Sequence, residues 1–331
     1  MQGLLLNSQR DRWATTVLLP PLDPEQLTLL LEHVLQRSEI PREFRDLVYT
    51  KTRGNPFYTT EILQSLSDEG ILFRTDRGWE WKPVDEIRLP TSIAGTIGAR
   101  VRRLDPDSLQ LLRIASLLGQ EFPLDLLQAV AEVPLDRLLL SLERAGGARL
   151  IKERAAGRTD VGYVFAHPLI QEVLEKEVSV VRSHVLHLRA AQVLEARYGA
   201  SASDHAATLA YHYLRGNDPK RALEYSTEAG NRAAAVFARA EAAGHYRNAL
   251  DLLPQPRDPG LAAPLTERLA DQVRGLGDVP EAARLFVEAG NRWKAVGNRS
   301  SAGDCLRRAA DCWLGPQAEG QALLEEARTL L

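Results

Sequence analysis

The sequence predicts a mainly α-helical chain of two or three domains, and three observations support this fold class. Apolar residues recur with a period near 3.6 over most of the 331 residues, and proline or glycine stands at the ends of these segments. Short β-like runs occur in two places, each time as a pair. From about residue 180 the chain is rich in alanine and contains an internal repeat.

The first third of the chain is predicted to contain three helices. Asp23 is the N-cap of the first helix and Pro24 its first residue. Pro41 starts the second helix, Gly54 ends it, and Pro56 starts the third. A short hairpin is predicted after these helices, with strands at 71–73 and 79–81 and a turn at 76–78.

Residues 89–178 show the element order of a winged-helix domain. A helix is predicted after Pro90, and three more begin near Pro106, Pro123 and Pro134. Two strand-like runs follow, at 149–153 and 161–165, around a small polar loop. The last three of these helices followed by a β-hairpin have the order found in winged-helix domains.

The helix predicted after Pro134 has the position of a DNA-recognition helix. Such a helix should present several polar or basic groups to a groove, but here only Arg137 and Arg144 are basic and most other residues are apolar. We therefore expect this helix to pack against a neighbouring domain, and binding of nucleic acid through this segment is not the favoured interpretation.

The alanine-rich remainder is predicted to be a tetratricopeptide-like α-solenoid. The segments GNDPKRALEY at 216–225 and AGNR at 229–232 recur as GDVPEAARLF at 277–286 and AGNR at 289–292. The offset in residue number, 60 or 61, corresponds to about two units of a helical hairpin, and a weaker copy begins at Gly297. Small residues at fixed spacing let helices approach closely, so each repeat buries its apolar face on the next. The stretch from Pro254 to Pro264 is predicted to be a loop that breaks the array.

Composition excludes several classes of function. No apolar run approaches the roughly 20 residues needed to span a bilayer, and the first residues do not form a signal peptide, so we expect no membrane association. Two cysteines without extracellular features indicate a reducing, cytoplasmic setting. A net charge of −3 and a pI of about 6.2 give no electrostatic footprint for nucleic acid.

No known catalytic or cofactor motif is present in the sequence. It contains no Gly-x4-Gly-Lys-Ser/Thr, no Gly-x-Ser-x-Gly, no His-Glu-x-x-His and no Cys-x-x-Cys. We therefore predict that the chain alone is not an enzyme. Two histidine pairs could start a metal site, His184 with His187 and His205 with His212, but neither has a carboxylate or thiol at ligand spacing. We predict no metal site, and we expect Cys305 and Cys312 to be small core residues.

Two candidate binding segments have open interpretations from the residues alone. The Gly54-Asn55-Pro56 turn is explained by the end of one helix and the start of the next. His167 precedes the helix-starting Pro168, so it could be a half-buried structural histidine. Alternatively it could contact an anion, because an imidazole near a helix N-terminus is placed to reach a phosphate.

The series of motifs along the chain resembles the STAND class of signalling ATPases. More closely, it looks like bacterial regulators in which an AAA-type ATPase module precedes tetratricopeptide-like repeats, as in large LuxR-type activators and multidomain adenylate or guanylate cyclases and kinases. The residues that carry the resemblance are LPPLD at 19–23, TRGNPFYTTEIL at 52–63, LPTSI at 89–93, ARVRRL at 99–104, ASLLGQEF at 115–122, FAHPLIQEV at 165–173, HLRAAQVLE at 187–195 and LAYHY at 209–213.

The resemblance implies a domain order and a half-site for nucleotide. Residues 1–20 would be a remnant of the ATPase core, 21–88 a helical lid, 89–178 the winged helix and 179–331 the repeats. In the family, the Gly-Asn-Pro turn lies beside the base, and the winged-helix histidine reaches the phosphates of ADP. These positions are Gly54, Asn55 and Pro56, and His167. The nucleotide-binding core should precede residue 15, so the chain would be a fragment or the product of a truncated gene, with ATP or ADP bound only in the full-length parent.

Three functions follow as hypotheses. The first is a regulatory and sensory segment of a STAND-type ATPase, in which a protein or small-molecule inducer on the repeats is coupled to a nucleotide-controlled switch in transcription regulation or cyclic-nucleotide signalling. Its first partner would be the missing nucleotide-binding core. The second is a protein-binding scaffold with no nucleotide role. The third is a DNA-binding regulator that acts through the winged helix.

Overall fold

The computed structural model describes residues 19–331 except 38, 77, 84–86, 88–92, 157–159, 255–257 and 314–316. The fold is mainly α, as the sequence predicts, with two small antiparallel sheets. The described residues form two compact units, with the boundary between Ser179 and Val180. No helix in the described parts of the chain is both long and apolar enough to cross a membrane.

The first unit begins with three helices and a hairpin, which confirms the predicted order. The elements are α1 (Pro24–Leu35), α2 (Arg42–Thr52), α3 (Pro56–Asp68), β1 (Leu72–Thr75) and β2 (Gly78–Trp81). Asp23 caps α1 in a capping box with Gln26. Leucines from α1 and Phe44 from α2 are buried together, and the Phe44 ring stacks on Trp81 with centroids 4.4 Å apart. Arg77 of the predicted turn lies outside the described residues.

The rest of the first unit contains five helices and a three-stranded sheet among its described residues, and its assignment as a winged-helix domain stays a prediction. Its elements are α4 (Ile93–Val101), α5 (Pro106–Leu118), β3 (Glu121–Pro123), α6 (Leu124–Ala131), α7 (Leu135–Gly147), β4 (Ile151–Ala156), β5 (Asp160–Phe165) and α8 (Pro168–Lys176). The three strands are antiparallel in the order β3-β5-β4. Most of the segment LPTSI at 89–93 lies outside the described residues.

Strand β3 was not predicted, because three residues ending in proline are too short to show a period of two. It exists through its pairing with β5, in which Phe122 lies opposite Tyr163. Gly162 permits this approach, since a Cβ there would lie 2.9 Å from the Phe122 carbonyl oxygen.

Helix α7 has a buried face and an apolar exposed face. Leu138 and Leu142 are buried, whereas Leu135, Leu139 and Leu140 keep 36–47% of their surface exposed. An apolar exposed face does not suit a DNA groove. The expectation that this helix packs on a neighbouring domain stays a prediction.

The second unit is an array of helices in which each packs on the next in sequence. It comprises α9 (Val180–Tyr198), a 3₁₀-helix (Gly199–His205), α10 (Ala206–Arg215), α11 (Pro219–Ala235), α12 (Arg239–Leu252), α13 (Pro259–Gly275), α14 (Val279–Ala295), α15 (Arg299–Asp311) and α16 (Gln317–Leu330). Alanines form much of its core, and Tyr246 and Phe286 fill the larger gaps, as the repeat pattern predicts.

The repeat spans three helices, not the two helical hairpins expected from the sequence. Helices α11 to α15 begin at positions 219, 239, 259, 279 and 299, so an offset of 60 carries α11 onto α14. The buried small residues agree with 60 and not 61, because Ala222, Ala229 and Gly230 match buried positions 282, 289 and 290. Asn217 and Gly277 both adopt a left-handed backbone conformation at the matching point of the loop. Gly277 therefore corresponds in structure to Asn217 and not to Gly216, although the two glycines align in the sequence pattern.

The predicted loop from Pro254 to Pro264 is wrong from Pro259 onwards. Helix α13 begins at Pro259, Asp258 caps it by accepting a hydrogen bond from the Gly260 amide, and Pro264 lies inside it. Pro259 suits the first helical position, whereas Pro264 lies inside the helix, where it removes the hydrogen bond to the Gly260 carbonyl and crowds that carbonyl. The loop was predicted from its bounding prolines, but Pro259 starts a helix and Pro264 lies within it.

Candidate functional site

The turn before α3 depends on Gly54 for two reasons. Its φ is +75°, and a Cβ built there would lie 1.9 Å from the carbonyl oxygen of Leu22. The Leu22 amide donates to the Gly54 carbonyl oxygen at 2.8 Å. The segment LPPLD at 19–23 is thereby attached to the turn by backbone contact, which no side chain at position 54 would allow.

Asn55 and Pro56 fix the direction of α3. Asn55 is the N-cap, and its Oδ1 accepts from the Tyr58 amide at 3.0 Å. Pro56 occupies the first helical position, and the Thr59 hydroxyl donates to the Asn55 carbonyl at 2.9 Å. These contacts hold the first turn of α3, and with it the side chain of Phe57, in one orientation.

His167 is the N-cap of α8 and closely follows β5. Its Nδ1 accepts a hydrogen bond from the Leu169 amide at 3.2 Å. In the neutral imidazole the proton therefore resides on Nε2, which leaves one N–H donor for a further partner. Burial lowers the pKa of His167, and Glu172 opposes this shift. The lowered pKa favours the neutral ring, which offers an anion a hydrogen bond and not a charge.

The structure brings the turn and the histidine together through one ring contact. Phe57 and His167 stack with centroids 3.5 Å apart and planes inclined by 11°. Both side chains are partly buried. Phe57 directly follows Pro56, so the two segments that were predicted separately lie side by side in the first unit. The role of Phe57 was missed because its partner belongs to a different element, far along the sequence.

A buried ion pair lies one helical turn further along α3. Arg100 Nη2 on α4 and Glu61 Oε2 are 3.0 Å apart, and each side chain is only 9% exposed. Burial raises the pKa of Glu61, and Arg100 opposes the shift. The Arg100 Nε is buried without a hydrogen-bond partner among the described residues. The signal for this pair was a glutamate among the inward positions of α3, between Tyr58 and Ile62.

The histidines of the second unit do not form the pairs considered from the sequence. His187 on α9 and His212 on α10 face each other instead, with Nδ1 atoms 3.0 Å apart and both rings almost fully buried. Burial lowers the pKa of His187 to about 3 and that of His212 to about 4. No group of three or more possible metal ligands occurs among the residues that the structure describes. Cys305 and Cys312 are buried free thiols, in agreement with their expected core role.

A cavity of about 480 Å³ lies in the second unit and was not predicted. Residues from the 3₁₀-helix and from α10, α11 and α12 line it, among them Asp204, Ala206, Ala207, Arg232, Ala233 and His245. Asp204 Oδ1 and Arg232 Nη2 form an ion pair of 2.5 Å at its rim. Comparison of the two repeat copies at an offset of 60 would have revealed it, because Ala233 stands where the second copy has Trp293.

Comparisons with known proteins give distant similarities. No protein-family profile matches the chain. Over 130 residues it is 28% identical to the hybrid signal transduction histidine kinase G of Dictyostelium discoideum, a match that covers 37% of this chain and 4% of the kinase. A solved STAND signal transduction ATPase with a tetratricopeptide repeat sensor, from Pyrococcus horikoshii, is 17% identical with a TM-score of 0.39. That match covers 96% of this chain, which spans about half (49%) of the solved chain.

Proposed function

We propose that this chain is the regulatory and sensory segment of a STAND-type signal-transduction ATPase. Residues 21–88 serve as the lid, 89–178 as the winged helix and 179–331 as the sensory repeats, in a cytoplasmic protein. The observation that carries the proposal is the stack of Phe57 on His167, because it joins two segments that the resemblance assigns independently to nucleotide contact. A signalling role agrees with the name of the Dictyostelium discoideum kinase.

The residues present suit one side of a binding site for a nucleoside diphosphate, with the nucleotide-binding core as the other side. The His167 Nδ1 is engaged by the Leu169 amide, so the Nε2 hydrogen is the donor left for a phosphate oxygen. Gly54, Asn55 and Pro56 form a turn held rigid by its cap and by Leu22, as a surface beside a base requires. The nucleotide-binding core, as the partner of this half-site, would supply the phosphate loop and the magnesium ligands.

The switch would work through contacts that differ between two states. With ADP bound, His167 and the turn would hold the lid and winged helix against the core, and capture of an inducer by the repeats would favour their release. The chain has no P-loop sequence, so we expect no ATP hydrolysis by the chain alone. The output is proposed to be transcription regulation or cyclic-nucleotide signalling.

Calorimetric titration with ADP tests the proposal in the protein that joins this chain to its nucleotide-binding core. His167→Asn is the sharpest variant, because asparagine keeps the N-cap acceptor but removes the ring and its Nε2 donor. We expect ADP affinity to fall about tenfold, as for loss of one hydrogen bond to a charged group. The matched control is His205→Asn, since His205 also stacks on an aromatic ring, Tyr198, at 3.6 Å, but in the second unit.

A second candidate function is a partner-binding scaffold with no nucleotide role. The cavity of about 480 Å³ favours it, because this site is complete within the second unit and needs no nucleotide. ADP affinity that is equal in the wild type, His167→Asn and His205→Asn would support the scaffold and contradict the switch.

A further inference from the structure

We call α10 to α12 the first copy of the repeat and α13 to α15 the second copy. The second copy contains a filled site at the position that the cavity occupies in the first. Trp293 on α14 donates from Nε1 to Glu267 Oε2 on α13 at 2.9 Å. Arg308 on α15 donates to the other oxygen, Glu267 Oε1, also at 2.9 Å. An indole ring is thus held between three consecutive helices by a carboxylate that a guanidinium supports.

The first copy has the same three-helix frame but lacks these side chains. At an offset of 60, Ala207 corresponds to Glu267, Ala233 to Trp293, and His245 to Cys305. All three first-copy residues line the cavity of about 480 Å³. The two sites also correspond in space. Arg292 contacts Thr266 in the second copy, and the equivalent residues of the first copy, Arg232 and Ala206, both line the cavity. The cavity is the space that an indole and its carboxylate occupy in the second copy.

The rim of the cavity favours a hydrogen-bond donor. Asp204 and Glu241 supply two carboxylates, whereas Arg232 is the one guanidinium among the described lining residues and already pairs with Asp204. The last turn of α11 lies at the same place and carries the partial negative charge of a helix C-terminus. An indole N–H, which donates and cannot accept, suits this rim.

An exposed apolar rim continues the cavity at the end of α11. Val236, which lines the cavity, is 73% exposed, and Phe237 is 77% exposed. Phe237 has φ +59°, a conformation that costs energy for an aromatic residue, where the second copy uses Gly297. A phenylalanine that keeps a left-handed backbone and an exposed ring, where the second copy has glycine, points to a contact surface.

We propose that this cavity binds a tryptophan side chain presented by a protein partner, with Val236 and Phe237 covering the residues beside it. The inference rests on the proposed sensory function of the repeats and specifies the chemistry of their partner. The volume lies within the range of protein ligand sites, and the second copy shows that this frame accommodates an indole.

Titration of the 331-residue chain with N-acetyl-tryptophanamide tests this proposal, with N-acetyl-leucinamide as the control probe. We expect saturable binding of about one equivalent of the tryptophan probe, with a dissociation constant of about 0.1–1 mM, and much weaker binding of the leucine probe. Ala233→Trp should weaken the binding at least about tenfold by filling the cavity from within. Equal binding to the wild type and Ala233→Trp, or no binding to either, would overturn the proposal.

A second variant keeps the test decisive if Ala233→Trp fails to fold. Trp293→Ala should open the equivalent space in the second copy, so the amount of tryptophan probe bound should rise from one equivalent to two. An unchanged amount contradicts the equivalence of the two sites. His167→Asn should leave this binding unaltered, so failure of the cavity and failure of the nucleotide proposal are distinguishable.

Discussion

The two compact units are stabilised by different kinds of contact. In the first unit, charged and aromatic side chains from distant parts of the chain meet, as Glu61 does with Arg100 and Phe57 with His167. In the second unit, neighbouring helices approach closely over alanine and glycine, and each packs on the next in sequence. The first unit therefore adds a few specific contacts between distant residues to its apolar core, whereas the packing of consecutive helices in the second depends on many small residues.

The largest expected effect on stability comes from removal of the buried ion pair in the first unit. Glu61→Ala leaves the Arg100 guanidinium buried and unpaired, so we expect a loss of about 3–5 kcal/mol in the free energy of unfolding, measured by urea denaturation. Glu69→Ala is the control, because Glu69 forms an exposed pair with Arg103 and should cost under about 1 kcal/mol. Equal losses in the two variants would show that burial does not set the strength of these pairs.

Acid should distinguish the two units, because the second contains the buried histidine pair. The folded pKa values of His187 and His212 lie below the unfolded value, so their contribution to stability is present above about pH 6.5. It is lost as pH falls towards the folded values, by about 1.4 kcal/mol for each histidine at pH 5.5. Thermal unfolding followed by circular dichroism from pH 7.5 to 5 measures this loss.

The control for the acid experiment is the double variant His187→Leu with His212→Leu, which removes both titrating rings. Its stability should depend on pH less steeply than that of the wild type. The same slope in both proteins would show that other groups cause the acid sensitivity.

The smallest expected effects compare the two copies within the second unit. A Cβ on Gly230 would lie 2.6 Å from the ring of the buried Tyr246, so Gly230→Ala should cost about 1–3 kcal/mol. At the equivalent Gly290 a Cβ would lie 3.1 Å from the Leu306 side chain and 3.3 Å from the Ala302 carbonyl oxygen, a smaller overlap, so Gly290→Ala should cost less, under about 1 kcal/mol. Urea denaturation of both variants measures the difference, and the reverse order would contradict the packing account.

Local signals were sufficient to predict most helices of this fold. Asp23, Pro56 and Pro106 marked helix starts because capping and the fixed φ of proline act within one turn. The same local signals gave a wrong prediction at Pro264, where proline lies inside a helix. They also did not reveal β3, because this strand depends on pairing with a strand much later in the chain. Pairing between distant residues leaves little trace in a short strand.

The candidate site was predictable only in part. The sequence provided Gly54, Asn55, Pro56 and His167 as candidates, but not the ring of Phe57 that connects them. The Leu22 contact that requires Gly54 also joins residues far apart in sequence, so no local pattern revealed it. The cavity in the repeats lies where alanines stand in place of larger side chains of the second copy, and it becomes visible in the sequence only when Ala233 is compared with Trp293.

The even spacing of the repeat helices determines how such an array can change in length. From α11 to α15, one helix with its loop is a module of constant length, and neighbouring helices joined by short loops run antiparallel. Gain or loss of one module would reverse the direction of every helix after it, whereas a change of two modules would restore it. The copies α11 and α14 are three modules apart, so they run in opposite directions, and one site architecture is presented in two orientations along the same array.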